Sequence, residues 1–380
     1  MKKSTIALLS LTLGVALWSP KLLIASEVPL RKTQQCSVRR CLGTDELLWN
    51  SKGEKQALLR SINNSLGYLD TPTSAEVYEN YPVPGVTHDR VRRSLVRFRE
   101  LLMHSSSKAE FQAAIDREFE IYKSVGKDGR GTVMFTGYFE PLYRGSRTRT
   151  REYRYPLYGK PTDFDLWSKP HPTRAQLEGY DGLGGKSPLA GNEVVWLRDR
   201  MEAYLVQVQG SARIKLTNGE TISVGYAGST DYPYVSIGGE LIKDGVITRS
   251  QLSLPRMVAY LRSHPGKLNE YASRNNRFIF FRETHGAPPM GNINVPVTAN
   301  RSIATDKDLM PPGALAVIRA PITDFNRGRL TTLYVLDQDT GSAIKTPGRV
   351  DIFMGSGPVA GDRAGKINGP GELYYLLLKN

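Results

Sequence analysis

The chain has 380 residues, 40% hydrophobic and 23% charged, with a net charge of +14. Those proportions exclude wholesale disorder, and the length admits two domains or one large one. The basic balance suits an anionic partner such as a wall polymer or lipid headgroups, but there is no basic cluster with interleaved aromatics and no nucleic-acid motif.

Residues 1–26 carry Lys2 and Lys3, an apolar run of 13 residues from Ile6 to Trp18, and small residues at Ala25 and Ser26. This is the layout of a secretory signal peptide cleaved near Ser26, with an uncleaved N-terminal anchor as the alternative. The run is short for a membrane span, which needs about 20 residues. The three lysines of residues 1–26 account for part of the net charge. Export gives the pair Cys36 and Cys41 an oxidising compartment in which to close a small loop. Two cysteines and five scattered histidines do not supply a tetrahedral metal site, and no cofactor is implied.

Residues 27–125 read as helical. Leu59, Ile62, Leu66 and Leu69 share one face, as do Val91, Leu95, Phe98 and Leu102. Ser107 and Glu110 have the spacing of a capping box. After the turn at 126–131 the texture becomes short, aromatic and β-rich. Residues 203–228 alternate as strands would and hold Asn218-Gly219, a two-residue hairpin signal. Ser253 and Pro255 open a helix with Met257, Val258 and Leu261 facing inward, and 278–283 is another strand. From Val295 onward strands and turns dominate. Helices in front and many strands behind give an α+β or mainly β architecture.

Near the end, Gly355-Ser-Gly357-Pro-Val-Ala360 matches the relaxed dinucleotide fingerprint, but Pro358 interrupts it and only 20 residues follow Ala360. A parallel βαβ unit has no room there. No phosphate-binding loop or serine-nucleophile elbow is present. The carboxylates remain. Asp337 and Asp339 end one β segment and Asp351 begins the next, so the intervening turn could bring Asp339 and Asp351 to one end of a barrel. Strand-end acids are common. Asp351, however, interrupts an apolar alternation, so it is either solvated on an outer face or held in a groove.

Residues 135–143 (FTGYFEPLY), 153–161, 204–228, 234–254 and 336–365 resemble, in order, the motifs of the membrane-bound lytic murein transglycosylase A family. The resemblance covers roughly residues 130 to 380. It implies a mainly β fold with a helical N-terminal layer: a double-ψ β-barrel, a second, smaller inserted β domain, and a groove between them. The corresponding division is 1–26 signal peptide, 27–137 the N-terminal part of the barrel domain with its helices, 138–292 the insert, and 293–380 the C-terminal part of the barrel. The resemblance further implies Asp351 as catalytic acid, Asp339 as its supporting carboxylate, and Thr136, Tyr138, Gln209 and Ser211 as groove residues. Gly355 and Gly357 would let the backbone pass close to the sugar. Many members of the family carry a lipid on a cysteine directly after the signal; residues 22–27 here are LLIASE, so a soluble periplasmic form or a signal anchor is expected instead.

The implied activity is water-free cleavage of the MurNAc–GlcNAc bond of peptidoglycan glycan strands by an exported, periplasmic monomer, leaving a 1,6-anhydro end. Nucleic acid is not an expected partner, while peripheral membrane association stays open. An intramolecular hydroxyl has a high effective concentration, so one carboxyl can act first as acid and then as base. That requires a raised Asp351 pKa, expected from burial and from the charge of Asp339. Two alternatives remain: a hydrolase on the same polymer, and a non-catalytic, expansin-like wall-binding protein.

Overall fold

The computed structural model describes residues 28–33, 42–50, 52–185, 187–322 and 330–380. The expected signal segment and both cysteines lie outside the described residues. The short strand β1 (Leu30–Lys32) precedes the helices Leu47–Asn50, Lys52–Leu69, Pro72–Glu79, His88–His104 and Lys108–Glu118. Thr71, Thr87 and Ser107 cap the last three by accepting the backbone amide three residues on. The expected capping box at Ser107 is displaced by one residue, because Glu110 reaches back to the amide and hydroxyl of Ser106.

The helical stripes pack as the periodicity predicts, with one adjustment. Val91, Leu95, Phe98 and Leu102 are buried, but on the Lys52–Leu69 helix Leu58 takes the core position and Leu59 is only partly buried. Phe98 sits 5.0 Å from the Tyr334 ring, which joins the helical layer to the sheet behind it. Each such full burial is worth about 1.5–3 kcal/mol. Arg301 pins the same junction: its side chain is fully buried between Asp45 and Glu54 and donates to the Tyr334 carbonyl at 3.0 Å.

Thirteen further strands follow: β2 (Phe119–Ser124), β3 (Val133–Glu140), β4 (Leu142–Ser146), β5 (Tyr155–Tyr158), β6 (Glu193–Leu197), β7 (Ser211–Leu216), β8 (Thr221–Ser229), β9 (Ile279–Glu283), β10 (Ser302–Ala304), β11 (Leu315–Ala320), β12 (Thr331–Asp339), β13 (Arg349–Ser356) and β14 (Asn368–Leu378). They form two sheets. The first runs β1-β2-β14-β11-β12-β10-β13-β3 and closes on itself, because Asn368–Gly371 at the start of β14 pair with β3 while its later residues pair with β11 and β2. The result is a six-stranded barrel of mixed direction, with β3·β13 and β10·β12 parallel. The second sheet runs β5-β6-β4-β7-β8-β9, and a bridge between Gly159 and Phe281 draws its ends together around Leu157, Val195, Ile214 and Val224.

Only Pro141 separates β3 of the barrel from β4 of the second sheet. Glu140, 1% exposed, fastens this crossing by accepting from Arg213 Nε at 2.9 Å and from the Ser356 hydroxyl.

Three local expectations are corrected. Residues 200–209 form a helix instead of an alternating strand, since Asp199 caps the Met201 amide and Gly210, at φ 80°, ends the helix. The β7–β8 hairpin uses a three-residue loop, Thr217 to Gly219, with Gly219 at φ 89°. The glycine run does open a short helix, Pro358–Ala364, but β14 then pairs antiparallel to β3, so no parallel βαβ unit forms.

Candidate active site

The site grows out of one row of residues across the barrel wall. Asp339 of β12 and Asp351 of β13 both pair with Ala304 of β10, and Asp351 pairs on its other side with Thr136 of β3. Two strand spacings put the aspartate α-carbons roughly 9–10 Å apart. Phe135, Val350 and Ile352 point into the core, so the alternating positions Thr136 and Asp351 point outward. That face meets the second sheet. Asp351 lines a cavity of about 90 Å³ together with Arg174, Gln207, Tyr234 and Arg277 from the second lobe and the 341–344 turn of the barrel.

The Thr136 hydroxyl donates to Asp351 Oδ1, and Arg349 Nη2 in turn donates to Thr136 Oγ1 at 3.0 Å. The arginine therefore aims the threonine proton at the carboxylate. Only Oδ1 is engaged: among the described residues no hydrogen bond reaches Asp351 Oδ2. Burial raises the Asp351 pKa, against the lowering effects of the Thr136 hydrogen bond and the Arg349 charge. The Asp339 charge, expected from sequence to help raise it, is not among the causes. Asp339 has its own raised pKa, again from burial. Its oxygens are committed: Oδ2 accepts from the Tyr138 hydroxyl at 2.6 Å, and Oδ1 from the amides of Asn292 at 3.0 Å and Thr340 at 2.8 Å. Tyr138 packs on Phe353, with ring centroids 5.2 Å apart.

Asp351, Asp339, Thr136 and Tyr138 are thus brought together. Gln209 and Ser211 sit at the edge of this group. Gln209 accepts the Phe139 amide at 3.0 Å and ties the end of its helix to β3, while Ser211 begins β7 opposite Gly225. Gly355 and Gly357, at φ 104° and 84°, shape the exit from β13 and are not part of the cavity wall. Asp337, two residues before Asp339, is a core group held by Thr305, Lys307 and Tyr375.

Sequence reasoning missed Arg349, Arg174, Tyr234 and Arg277. Arg174 had a legible neighbour: Thr173 and Gln176 form a complete capping box that fixes the helix carrying it. Among the described residues no cluster of His, Cys, Asp and Glu could hold a metal ion, and no helix is long and apolar enough to cross a membrane.

Comparison with known proteins places these features. The family model described as MltA specific insert domain matches residues 134–282, and a 3D domain model matches residues 301–377. Membrane-bound lytic murein transglycosylase A of Escherichia coli (strain K12) is 32% identical over 268 residues, covering 68% of this chain and 70% of the relative. The protein of the same name in Vibrio cholerae is 31% identical over 263 residues, 67% and 68% of the two chains. Among solved structures, a membrane-bound lytic murein transglycosylase from Agrobacterium tumefaciens superposes with a TM-score of 0.72 at 24% identity, covering 92% of this chain and 97% of the other. E. coli MltA with bound chitohexaose superposes at 0.70 and 25% identity, covering 93% and 95%. The fold is accordingly the β-rich double-ψ barrel with an inserted domain.

Proposed function

The chain belongs to the membrane-bound lytic murein transglycosylase A family, and from that premise we propose that it is a peptidoglycan lytic transglycosylase in which Asp351 is the sole acid/base. The observation that carries the assignment is the position of Asp351: burial holds its carboxyl toward the neutral form, and the residue lines the cavity between the lobes. Because Oδ1 accepts from Thr136, the carboxyl proton belongs on Oδ2. That oxygen protonates the glycosidic oxygen of a bound strand. The 6-hydroxyl of the same MurNAc attacks C1, and the Asp351 carboxylate removes its proton, closing the 1,6-anhydro ring. Between the two transfers the carboxylate charge stabilises the oxocarbenium-like state.

Asp339 supports this chemistry without taking part in proton transfer. A hydrolase would need a second carboxylate free to activate water. Three donors hold Asp339 in place, which favours the lyase over the hydrolase reading. The substrate is a peptidoglycan glycan strand, in keeping with the chitohexaose bound to the E. coli relative. The chain works in the cell envelope after export, held at the membrane peripherally or by its N-terminal segment.

Digestion of purified sacculi tests the reading. Lytic transglycosylation releases muropeptides one water lighter than hydrolysis does. Products carrying reducing ends would overturn the lyase assignment, and binding to sacculi without product release would favour the wall-binding alternative.

A further inference from the structure

The sequence suggests no basic cluster with interleaved aromatics, but the fold builds one on the outer face of the second sheet. Residues 144–154 hold five arginines and one carboxylate, Glu152. Strand register gathers further charge beside them. Tyr143 and Ile214 pack into the core of this sheet, so their neighbours Arg144 and Lys215, paired across β4 and β7, point outward and are exposed. Arg282 of β9, exposed and opposite Gly225 of β8, extends the same face. On β6 Trp196 points outward between the buried Val195 and Leu197, and the Arg149 guanidinium lies over its ring, 5.8 Å from the centroid. Arg151 and Arg154 stand exposed on the β4–β5 connection. None of these cations has an ion-pair partner among the described residues. The neighbouring carboxylates are engaged elsewhere: Glu152 by Arg198, Glu283 by Arg147 and Glu140 by Arg213. Glu220, exposed in the β7–β8 loop, offsets one of them.

We propose that this face docks the chain on an anionic phospholipid surface. The inference rests on the reading that the chain is held at a membrane, and it names the surface that holds it. Charge complementarity is the first support: each lysine or arginine brought to an anionic bilayer strengthens binding about five-fold. Arginine dominates the cluster, and its planar fork matches the oxygens of a headgroup phosphate. Shape is the second support. The cations stand on an open sheet face and its bordering loop, and none of them lines the Asp351 cavity. A fluid array of headgroups meets all of them at once, whereas a single acidic peptide meets two or three. Composition is the third. Trp196 and Leu142, the latter 47% exposed and on the same side of β4 as Arg144, are residue types that settle at the level of the headgroups and the acyl boundary.

Co-sedimentation of the full chain with vesicles tests the proposal, comparing mixed phosphatidylglycerol and phosphatidylcholine with phosphatidylcholine alone. The variant carries Arg144→Gln, Arg149→Gln and Arg151→Gln together. The control carries Arg92→Gln, Arg93→Gln and Lys108→Gln in the helical layer, which removes the same charge from equally exposed positions. The variant should bind anionic vesicles about 100-fold more weakly than the parent, and the control within about five-fold of it. Binding to neutral vesicles should be alike in all three, because the N-terminal segment and its lysines are present throughout. An unchanged kcat on sacculi is expected of the variant and reports intact folding. Variant binding to anionic vesicles within about five-fold of the parent would overturn the surface and leave attachment to the N-terminal segment. An equal loss in variant and control would also overturn it, reducing the effect to net charge. A raised KM on sacculi with vesicle binding kept would make the face a site for acidic stem peptides instead. Failure of the membrane reading itself would show separately, as a parent chain that sediments with neither kind of vesicle.

Discussion

Gly137→Ala is the change that most closely couples packing to activity. Gly137 lies on β3 between Thr136 and Tyr138, where the Pro358–Ala364 helix crosses the strand. A β-carbon there would lie 2.7 Å from Ala364 Cα and 3.0 Å from its carbonyl oxygen. Ordinary contact begins near 3.4 Å, so helix and strand must part by about 0.7 Å, and the opposing atoms are backbone with no rotamer to yield. Overpacking of this kind costs about 1–3 kcal/mol of stability. The displaced strand also carries the donor to Asp351 and the donor to Asp339, and misplacement of about 1 Å can cost 100-fold in rate. We therefore expect Gly137→Ala to fold with a lowered urea midpoint and to lose about 100-fold in kcat on sacculi. Gly67→Ala, in the Lys52–Leu69 helix with open space at its β-carbon and no positive φ, is the comparison and should cost nothing. Full activity and an unchanged midpoint for Gly137→Ala would refute the packing argument.

Further changes address single interactions. Thr136 stabilises the ionised form of Asp351, so Thr136→Val raises the Asp351 pKa further; because the acid must be protonated, activity is lost as pH rises through that pKa, and the high-pH limb of the rate profile should move to higher pH. Tyr138→Phe removes a donor from the Asp339 carboxylate, a bond to a charged group worth about 1.5–3 kcal/mol, and should lower kcat/KM on sacculi about 10-fold or more with unchanged circular dichroism. Asp45→Ala leaves the fully buried Arg301 with Glu54 alone and should cost about 3 kcal/mol, read as a shift in urea midpoint at constant slope.

The outline of the fold was legible in the 3.6-residue period of the Val91–Leu102 stripe and in the strand-and-turn composition from β11 to β14, although β11 and β12 show no period of two because they are buried on both faces. It failed at residues 203–209, where AYLVQVQ satisfies the strand pattern; the deciding signals were Asp199 and Gly210 at the helix ends. Asp351 was visible as a carboxylate breaking an apolar alternation. Its partners were not, because Thr136 lies 215 residues away and meets it only through the parallel pairing of β3 with β13. The same holds for Arg174, Tyr234 and Arg277, which reach the cavity only once the inserted sheet folds back on the barrel. A sequence pattern reports which face of an element is apolar; it does not report which two faces meet.

The central claim is that one carboxyl carries both proton transfers, and Asp351→Asn tests it most directly. Asparagine keeps the shape and an acceptor for the Thr136 hydroxyl but has no acidic proton. The account predicts a variant that unfolds at the parent's temperature or above, since a carboxylate held in a burying site is removed. It should bind sacculi and release anhydro-muropeptides at least about 1,000-fold more slowly. Release within about 10-fold of the parent rate, with the same anhydro ends, would place the acid elsewhere and contradict the account.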